Sequence, residues 1–277
     1  MLALLFPGQG SHTPDDASDV SHLAPELLAR CVELLGVDPF PRIEESTRFA
    51  QPTIFITSVA RARATDLPRE AGAFAGHSVG EFAALVTAGA LDVDDGLRLV
   101  IERGRLMAEC RPGAMVAVRG DVDTATDLAA AHGWVVANDN APGQVVLAGD
   151  IDRVQNLIDD ADTRGVRSIR LNVAGAFHSP LMAPAAASFG DALRDVAFRT
   201  PTANVWCCAT AQPFDDPRRQ LAEALTAPVR WREVLLSLDA AGADVFADVG
   251  PGRVLEGLTR RTLPAAGRIT PDPRDHG

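Results

Sequence analysis

"AGAFAGHSVGEFAALVTAGAL" occupies residues 71–91. Its first six residues form a small apolar run of strand character. Phe82, Leu85 and Val86 then recur at helical spacing among strong helix formers. Between the two, Gly76, Ser78 and Gly80 spell G-x-S-x-G, the spacing of a nucleophile elbow, a tight turn that exposes a serine hydroxyl. Strand, sharp turn and helix in that order imply an α/β fold. The motif alone does not say whether an acylated serine gives up its acyl group to water or to another thiol or hydroxyl.

The flanking sequence extends this pattern. "LALLF" (2–6) reads as a buried strand ended by Pro7-Gly8, residues 53–64 as a helix, and "DVDDGLRLVIERGRLMAEC" (92–110) as a helix opened by capping aspartates. Residues 113–175 follow a separate rhythm. The strands "AMVAV", "WVVAN", "QVVLAG" and "VRSIRLNV" alternate with the helices "TATDLAAAH" and "IDRVQNLIDDADTRG" in the order β-α-β-β-α-β, a ferredoxin-like arrangement. The expected organisation is a large α/β domain formed by 1–112 and 176–277, with 113–175 inserted as a small subdomain. In the second half, "PLMAPAAASFGDALRDV" reads as a helix, "ANVWCCA" and "ADVFADVG" as strands, and the tail "PDPRDHG" as frayed.

The 277 residues carry a net charge of −11, which argues against sequence-independent nucleic-acid binding. All 26 basic side chains are arginine, so an acidic partner must meet a local arginine patch. Cys31, Cys110, Cys207 and Cys208 form no C-x-x-C pair and lie near no histidines at metal-ligand spacing. Reduced thiols, no metal and a cytoplasmic location are expected. The apolar run at the N-terminus is too short for a signal sequence, and no stretch reaches membrane-spanning length.

A serine nucleophile needs a base. Of the six histidines, His12, His22, His132 and His276 lie in polar surroundings and read as surface residues. His77 adjoins Ser78 and reads as a packing residue. His178 follows "SIRLNVAGAF" and precedes Ser179-Pro180, the expected end of a strand and a good place for a crevice. Arg98, Glu102, Arg105 and Glu109 make one polar helical stripe, but Arg103 stands among Leu99, Val100, Leu106 and Met107 on the apolar face. A guanidinium there is costly without an anion. An internal ion pair, snorkelling to solvent, or a clamp for a substrate carboxylate all satisfy it. The loop "PGQG" (7–10) can aim backbone N–H groups at an oxyanion; as a bare motif it is equally an ordinary turn.

Six ordered motifs, "FPGQGSH", "AGHSVGEFAALVTAGAL", "ERGRLM", "NDNAPGQVVLAG", "GAFHSPLM" and "DVGPGRVLEGL", span nearly the whole chain. In this order they resemble malonyl-CoA:acyl carrier protein transacylases and the related acyltransferase domains of polyketide and fatty acid synthases. The resemblance implies an α/β-hydrolase-like core with a ferredoxin-like subdomain. It implies Ser78 as nucleophile, His178 as a base oriented by backbone carbonyls, and the N–H groups of Gln9 and Val79 as the oxyanion hole. Arg103 becomes the clamp for the malonyl carboxylate, and Asn140 a residue lining the cleft between the domains. Val79 and "AFH" at 176–178 match members that take malonyl, with Phe177 filling the space an α-methyl group needs.

The implied donor is malonyl-CoA and the acceptor is the phosphopantetheine thiol of an acyl carrier protein, with no bound cofactor, no membrane and a monomeric enzyme. Carrier proteins are usually acidic, which makes Arg61, Arg63, Arg167, Arg170, Arg230 and Arg232 candidates for docking. Rival readings are a polyketide-pathway acyltransferase with another acyl group or a carrier-protein donor, a hydrolase that edits carrier proteins, a malonate decarboxylase transferase subunit, and a non-catalytic scaffold. The chain departs from the family pattern at three places, one of them the end soon after "GLTRR" (257–261), where no longer C-terminal extension is expected. "TPDDASDV" (13–20) replaces the usual segment with "GMG", which puts the helical region there in question, and Cys207-Cys208 stands where many relatives have Ser-Asn.

Overall fold

The computed structural model describes residues 1–269 and 271. The chain opens with β1 (Leu2–Phe6), α1 (Asp16–Leu23), α2 (Pro25–Leu35) and α3 (Thr47–Arg63). The short α4 (Leu67–Glu70), β2 (Ala71–Gly76), α5 (Gly80–Thr87) and α6 (Val93–Ala108) follow. Next come β3 (Gly113–Arg119), α7 (Val122–Ala131), β4 (Val135–Ala141), β5 (Gln144–Asp150), α8 (Val154–Thr163) and β6 (Arg167–Arg170). The remainder is α9 (Ala183–Leu193), β7 (Asn204–Cys207), β8 (Gln212–Pro213), α10 (Pro217–Glu223), α11 (Trp231–Ala240), β9 (Val245–Asp248), α12 (Val254–Thr262) and β10 (Gly267–Ile269).

The larger sheet has the order β10-β9-β1-β2-β7-β8 and is parallel except for the β7–β8 pair. β1 is buried on both faces, as a central parallel strand must be. Leu4 and Phe6 point into a core shared with α3, α5 and α6, and Ala3 and Leu5 into a second core with α11 and α12. Phe6 is in register with Gly76, so the loop after β1 and the elbow after β2 leave the sheet side by side. The His77 N–H donates to the Phe6 carbonyl at 2.9 Å and fixes that juxtaposition.

The second sheet, β4-β5-β3-β6, is antiparallel throughout. Ala114, Val116 and Val118 of β3 pack on Leu128 of α7 and Leu157 of α8, while Met115 on the opposite face joins the main core. Strand alternation thus lets one strand serve two cores.

Three sequence expectations shift. α3 begins at Thr47, with the Ser46 hydroxyl accepting from the Arg48 N–H, and carries Pro52 inside it rather than starting after it. Residues 16–35 are helical despite the departure from the family pattern. β6 stops at Arg170, so His178 is not at a strand end. Residues 171–178 instead curl from the small sheet to the large core, with the Leu171 N–H on the Met115 carbonyl and the Gly113 N–H on the Ala174 carbonyl. Of the tail expected to fray, residues 272–277 lie outside the described residues.

The elbow glycines are dictated by contact. A Cβ at Gly76 would collide with the Glu81 backbone, and one at Gly80 with the Phe6 carbonyl. Gly80→Ala is expected to lower the unfolding free energy by at least about 2 kcal/mol, because the obstacle is backbone and cannot rotate away. A denaturant titration measures this, and a midpoint unchanged from the parent would contradict it.

Candidate active site

Ser78 has φ 54°, in the left-handed region that a non-glycine residue occupies only when its surroundings demand it. This elbow conformation lifts Oγ off the end of β2. His178, at φ 57°, adopts the same uncommon backbone and brings Nε2 to 2.8 Å from Ser78 Oγ. Its Nδ1 lies 2.9 Å from the Ala224 carbonyl and 3.2 Å from the Ala227 carbonyl, in the turn that follows α10. Carbonyl oxygens only accept, so Nδ1 carries the proton and Nε2 presents its lone pair to the serine. Burial, together with the positive charge of Arg103, pushes the imidazole down to about 3. The ring is therefore neutral and ready to take a proton, and two backbone carbonyls do the orienting that a carboxylate does in a Ser-His-Asp triad.

Arg103, on α6, is 2% exposed. Its Nη1 donates to Gln51 Oε1 at 2.7 Å and its Nη2 to Ser78 Oγ at 3.2 Å. It makes no ion pair among the described residues, and it does not snorkel. Burial lowers its proton affinity, to a value of about 10, and the nearby Glu81 charge partly offsets that. Glu81 itself is buried and accepts the Cys208 N–H at 2.7 Å, and burial pushes its carboxyl up. Arg103 is thus a buried cation beside Ser78 with N–H groups to spare.

Gln51 is a site residue that the sequence reading passed over. Its Nε2 donates to Thr47 Oγ1 at 2.9 Å, and the Thr47 hydroxyl donates to Gln9 Oε1 at 2.9 Å. One chain of hydrogen bonds therefore runs from the loop after β1 to Arg103 and on to Ser78. Gln9 and Val79 direct their backbone N–H groups to no protein acceptor among the described residues. Gly8 packs against His77, so closely that a Cβ would sit 2.7 Å from the His77 carbonyl.

His77 packs as expected. Its Nε2 lies 2.8 Å from Asn140 Oδ1, its ring is tilted against Trp231 at 5.4 Å, and burial keeps it neutral. Asn140, on β4, thereby ties the small sheet to the elbow. Phe177 is nine-tenths buried beside His178, with its ring over Gly175. Cys207 and Cys208 are buried, and all four cysteines are free. Among the other histidines, His12 contacts Glu44 and His132 contacts Asp160, while His276 lies outside the described residues.

Three of the six docking arginines are already engaged. Arg61 bonds Asp16 and Asp19, Arg230 pairs with Glu233, and Arg232 pairs with Asp139 at 2.7 Å. Helical and tertiary neighbours supply these carboxylates, so the three cannot serve as free cations. Arg63, Arg167 and Arg170 are exposed, and no ion pair to them is formed among the described residues.

Residues 33–271 match the acyl transferase domain family. The chain is 36% identical to the malonyl CoA-acyl carrier protein transacylase of Synechocystis sp., over 95% of this chain and 94% of that protein. It is also 36% identical to the polyketide biosynthesis protein ThaF of Burkholderia thailandensis, of which it spans 24%. Among solved structures, the malonyl-transacylase in complex with its type II polyketide synthase acyl-carrier protein aligns with TM-score 0.88 at 31% identity, over 98% of this chain and 95% of that one. The fold and these likenesses are those of an acyltransferase, a mixed α/β enzyme built on a parallel sheet. The chain belongs to the malonyl CoA-acyl carrier protein transacylase family. No helix among the described residues is long and apolar enough to cross a membrane.

Proposed function

We propose that this enzyme moves a malonyl group from coenzyme A to the phosphopantetheine thiol of an acyl carrier protein through an ester on Ser78. The observation that carries the reading is Arg103, a buried cation that makes no ion pair among the described residues and donates directly to the Ser78 oxygen. His178 Nε2 takes the Ser78 proton as Oγ attacks the thioester carbon, and the oxyanion is met by the Gln9 and Val79 N–H groups. The C–S bond then breaks, and His178 returns the proton to the departing CoA sulfur. The carrier thiol enters, gives its proton to the same nitrogen, and attacks the ester carbon; collapse breaks the C–Oγ bond and hands that proton back to Ser78. No bound cofactor is needed.

The order β10-β9-β1-β2-β7-β8, parallel but for the β7–β8 pair, supports a hydrolase-like core made of 1–112 and 176–277. The sheet order β4-β5-β3-β6 supports a ferredoxin-like insert at 113–175, with Asn140 at the cleft between them. Val79 and the packed Phe177 ring favour malonyl over a branched acyl group, a discrimination of about 1–3 kcal/mol for one methyl. We place the monomeric enzyme in the cytoplasm.

The carrier protein docks on β6, where Arg167 and Arg170 flank Ile169, which is 66% exposed. Arg119 stands opposite Arg167 in the strand register, a like-charge pair that an anionic partner relieves. Arg167→Glu with Arg170→Glu is expected to raise the KM for carrier protein about tenfold while acylation by malonyl-CoA stays unchanged. Equal loss in both half-reactions would contradict this placement.

The test of the whole reading is the intact mass after mixing with malonyl-CoA. One malonyl group is expected on the peptide bearing Ser78, discharged by carrier thiol faster than by water. Discharge to water first would make the protein an editing hydrolase.

A further inference from the structure

Arg61 holds three segments at once. Its Nη2 reaches Asp16 Oδ1 at 2.9 Å and Asp19 Oδ2 at 2.6 Å, its Nε reaches Asp19 Oδ2 at 3.1 Å, and its Nη1 donates to the Gly250 carbonyl at 3.0 Å. The Asp16 side chain is 2% exposed, that of Asp19 11% and that of Arg61 14%. Asp16 in turn accepts the Thr13 N–H at 2.8 Å and the Thr13 hydroxyl at 2.6 Å, anchoring the far end of the loop that begins at Pro7. Gly250 lies against the Pro7 ring, and Gly252 against the Ser11 carbonyl, each so closely that a Cβ would collide. Within the loop, Ser11 Oγ donates to the Gly8 carbonyl at 2.7 Å.

Residues 7–11 are therefore held from both sides, and the holds at Pro7, through Gly250, and at Thr13, through Asp16, both run through partners of Arg61. The aspartates come from "TPDDASDV", the segment where this chain departs from its family pattern. We propose that Arg61, with Asp16 and Asp19, is a positioning cluster that sets the height of the Gln9 N–H over Ser78 and so tunes oxyanion stabilisation. The inference rests on the assignment of the Gln9 and Val79 amides as the oxyanion hole. Arg61 touches no reacting atom and acts through Gly250, Pro7 and Thr13. A guanidinium is required because a single ammonium cannot span two carboxylates and a carbonyl in one plane.

Two variants test it by rapid-quench measurement of acyl-enzyme formation. The combined Arg61→Met, Asp16→Asn, Asp19→Asn replacement removes all three charges together, so no buried charge is left unpaired and the fold is retained. Arg61→Lys keeps the charge between the aspartates but loses the reach to Gly250. Both are expected to acylate Ser78 about tenfold to a hundredfold more slowly, the scale on which small misplacements act, with KM for malonyl-CoA and the melting temperature near those of the parent. Arg69→Ala, at an exposed pair remote from the loop, is expected to leave the rate unchanged. Parental rates in both variants, a rise in KM alone, or a loss that merely follows the folded fraction overturns the positioning role. Failure of the parent enzyme to acylate at Ser78 instead sinks the functional reading on which it rests.

Discussion

Arg103→Ala is expected to cut malonyl transfer at least about a hundredfold while sparing transfer of an acetyl group, which has no carboxylate. The reasoning starts from burial. A charge-assisted pair formed away from water and broken by truncation costs about 3–5 kcal/mol, and each 1.4 kcal/mol is a factor of ten. Arg103 is 2% exposed and makes no ion pair among the described residues, with the nearby Glu81 charge only partly offsetting its burial, so in the proposed mechanism the substrate's carboxylate supplies its charge partner. Arg103→Lys does not rescue the loss, because an ammonium cannot hold Gln51, Ser78 and a carboxylate together as the planar fork does. A panel of acyl-CoA donors with the acyl-enzyme read by mass decides the matter. Equal losses for malonyl and acetyl would reduce Arg103 to a structural residue.

His178→Ala is expected to slow Ser78 acylation by about 10²–10⁴-fold, the range over which a positioned base contributes. The parent enzyme's pH profile carries a second expectation. An unperturbed imidazole titrates near 6.5, but burial and Arg103 hold this one at about 3. The acylation rate should therefore be flat from about pH 5 to pH 8 instead of falling below 6.5. The same shift fixes the sign of its effect on stability. The folded state resists protonation, so His178's contribution is complete above the unfolded value of about 6.5 and is lost as the pH falls toward the folded one. An inflection near 6.5 in rapid-quench data would mean that the ring is hydrated and the geometry at Nδ1 is not maintained. If a malonyl carboxylate neutralises Arg103 as proposed, one of the causes of the depressed basicity is removed while burial remains. The ring becomes a better base when the correct acyl group is present.

Much of this was legible from residue spacing. The elbow was visible because G-x-S-x-G lay between a strand-like run and a helix-like one. Arg103 was visible because it interrupts an apolar face; spacing could not choose among an ion pair, snorkelling and a clamp, and the family resemblance chose the clamp. Gln51 escaped because Pro52 looks like a helix boundary, whereas α3 begins five residues before it with Ser46 as cap. His178 was found, but for a local reason that the structure replaces. The chain reaches it by curling out of β6 and turning through a positive φ, which no periodicity announces. The pairing of Arg61, Arg230 and Arg232 depends on side-chain packing: two of these pairs bring together segments distant in the sequence, and the third, Arg230 with Glu233, is a local neighbour whose engagement spacing alone does not decide.

The short chain from Gln51 through Arg103 to Ser78 Oγ also governs the idle enzyme. Arg103 donates to a lone pair of the oxygen that attacks in the proposed mechanism, which lowers that oxygen's nucleophilicity. An incoming carboxylate draws the guanidinium toward itself and frees that lone pair. An acyl group without a carboxylate leaves the oxygen tethered. On the proposed mechanism, the cargo would thus be checked before any bond is made, a form of proofreading that discards no intermediate and consumes no thioester.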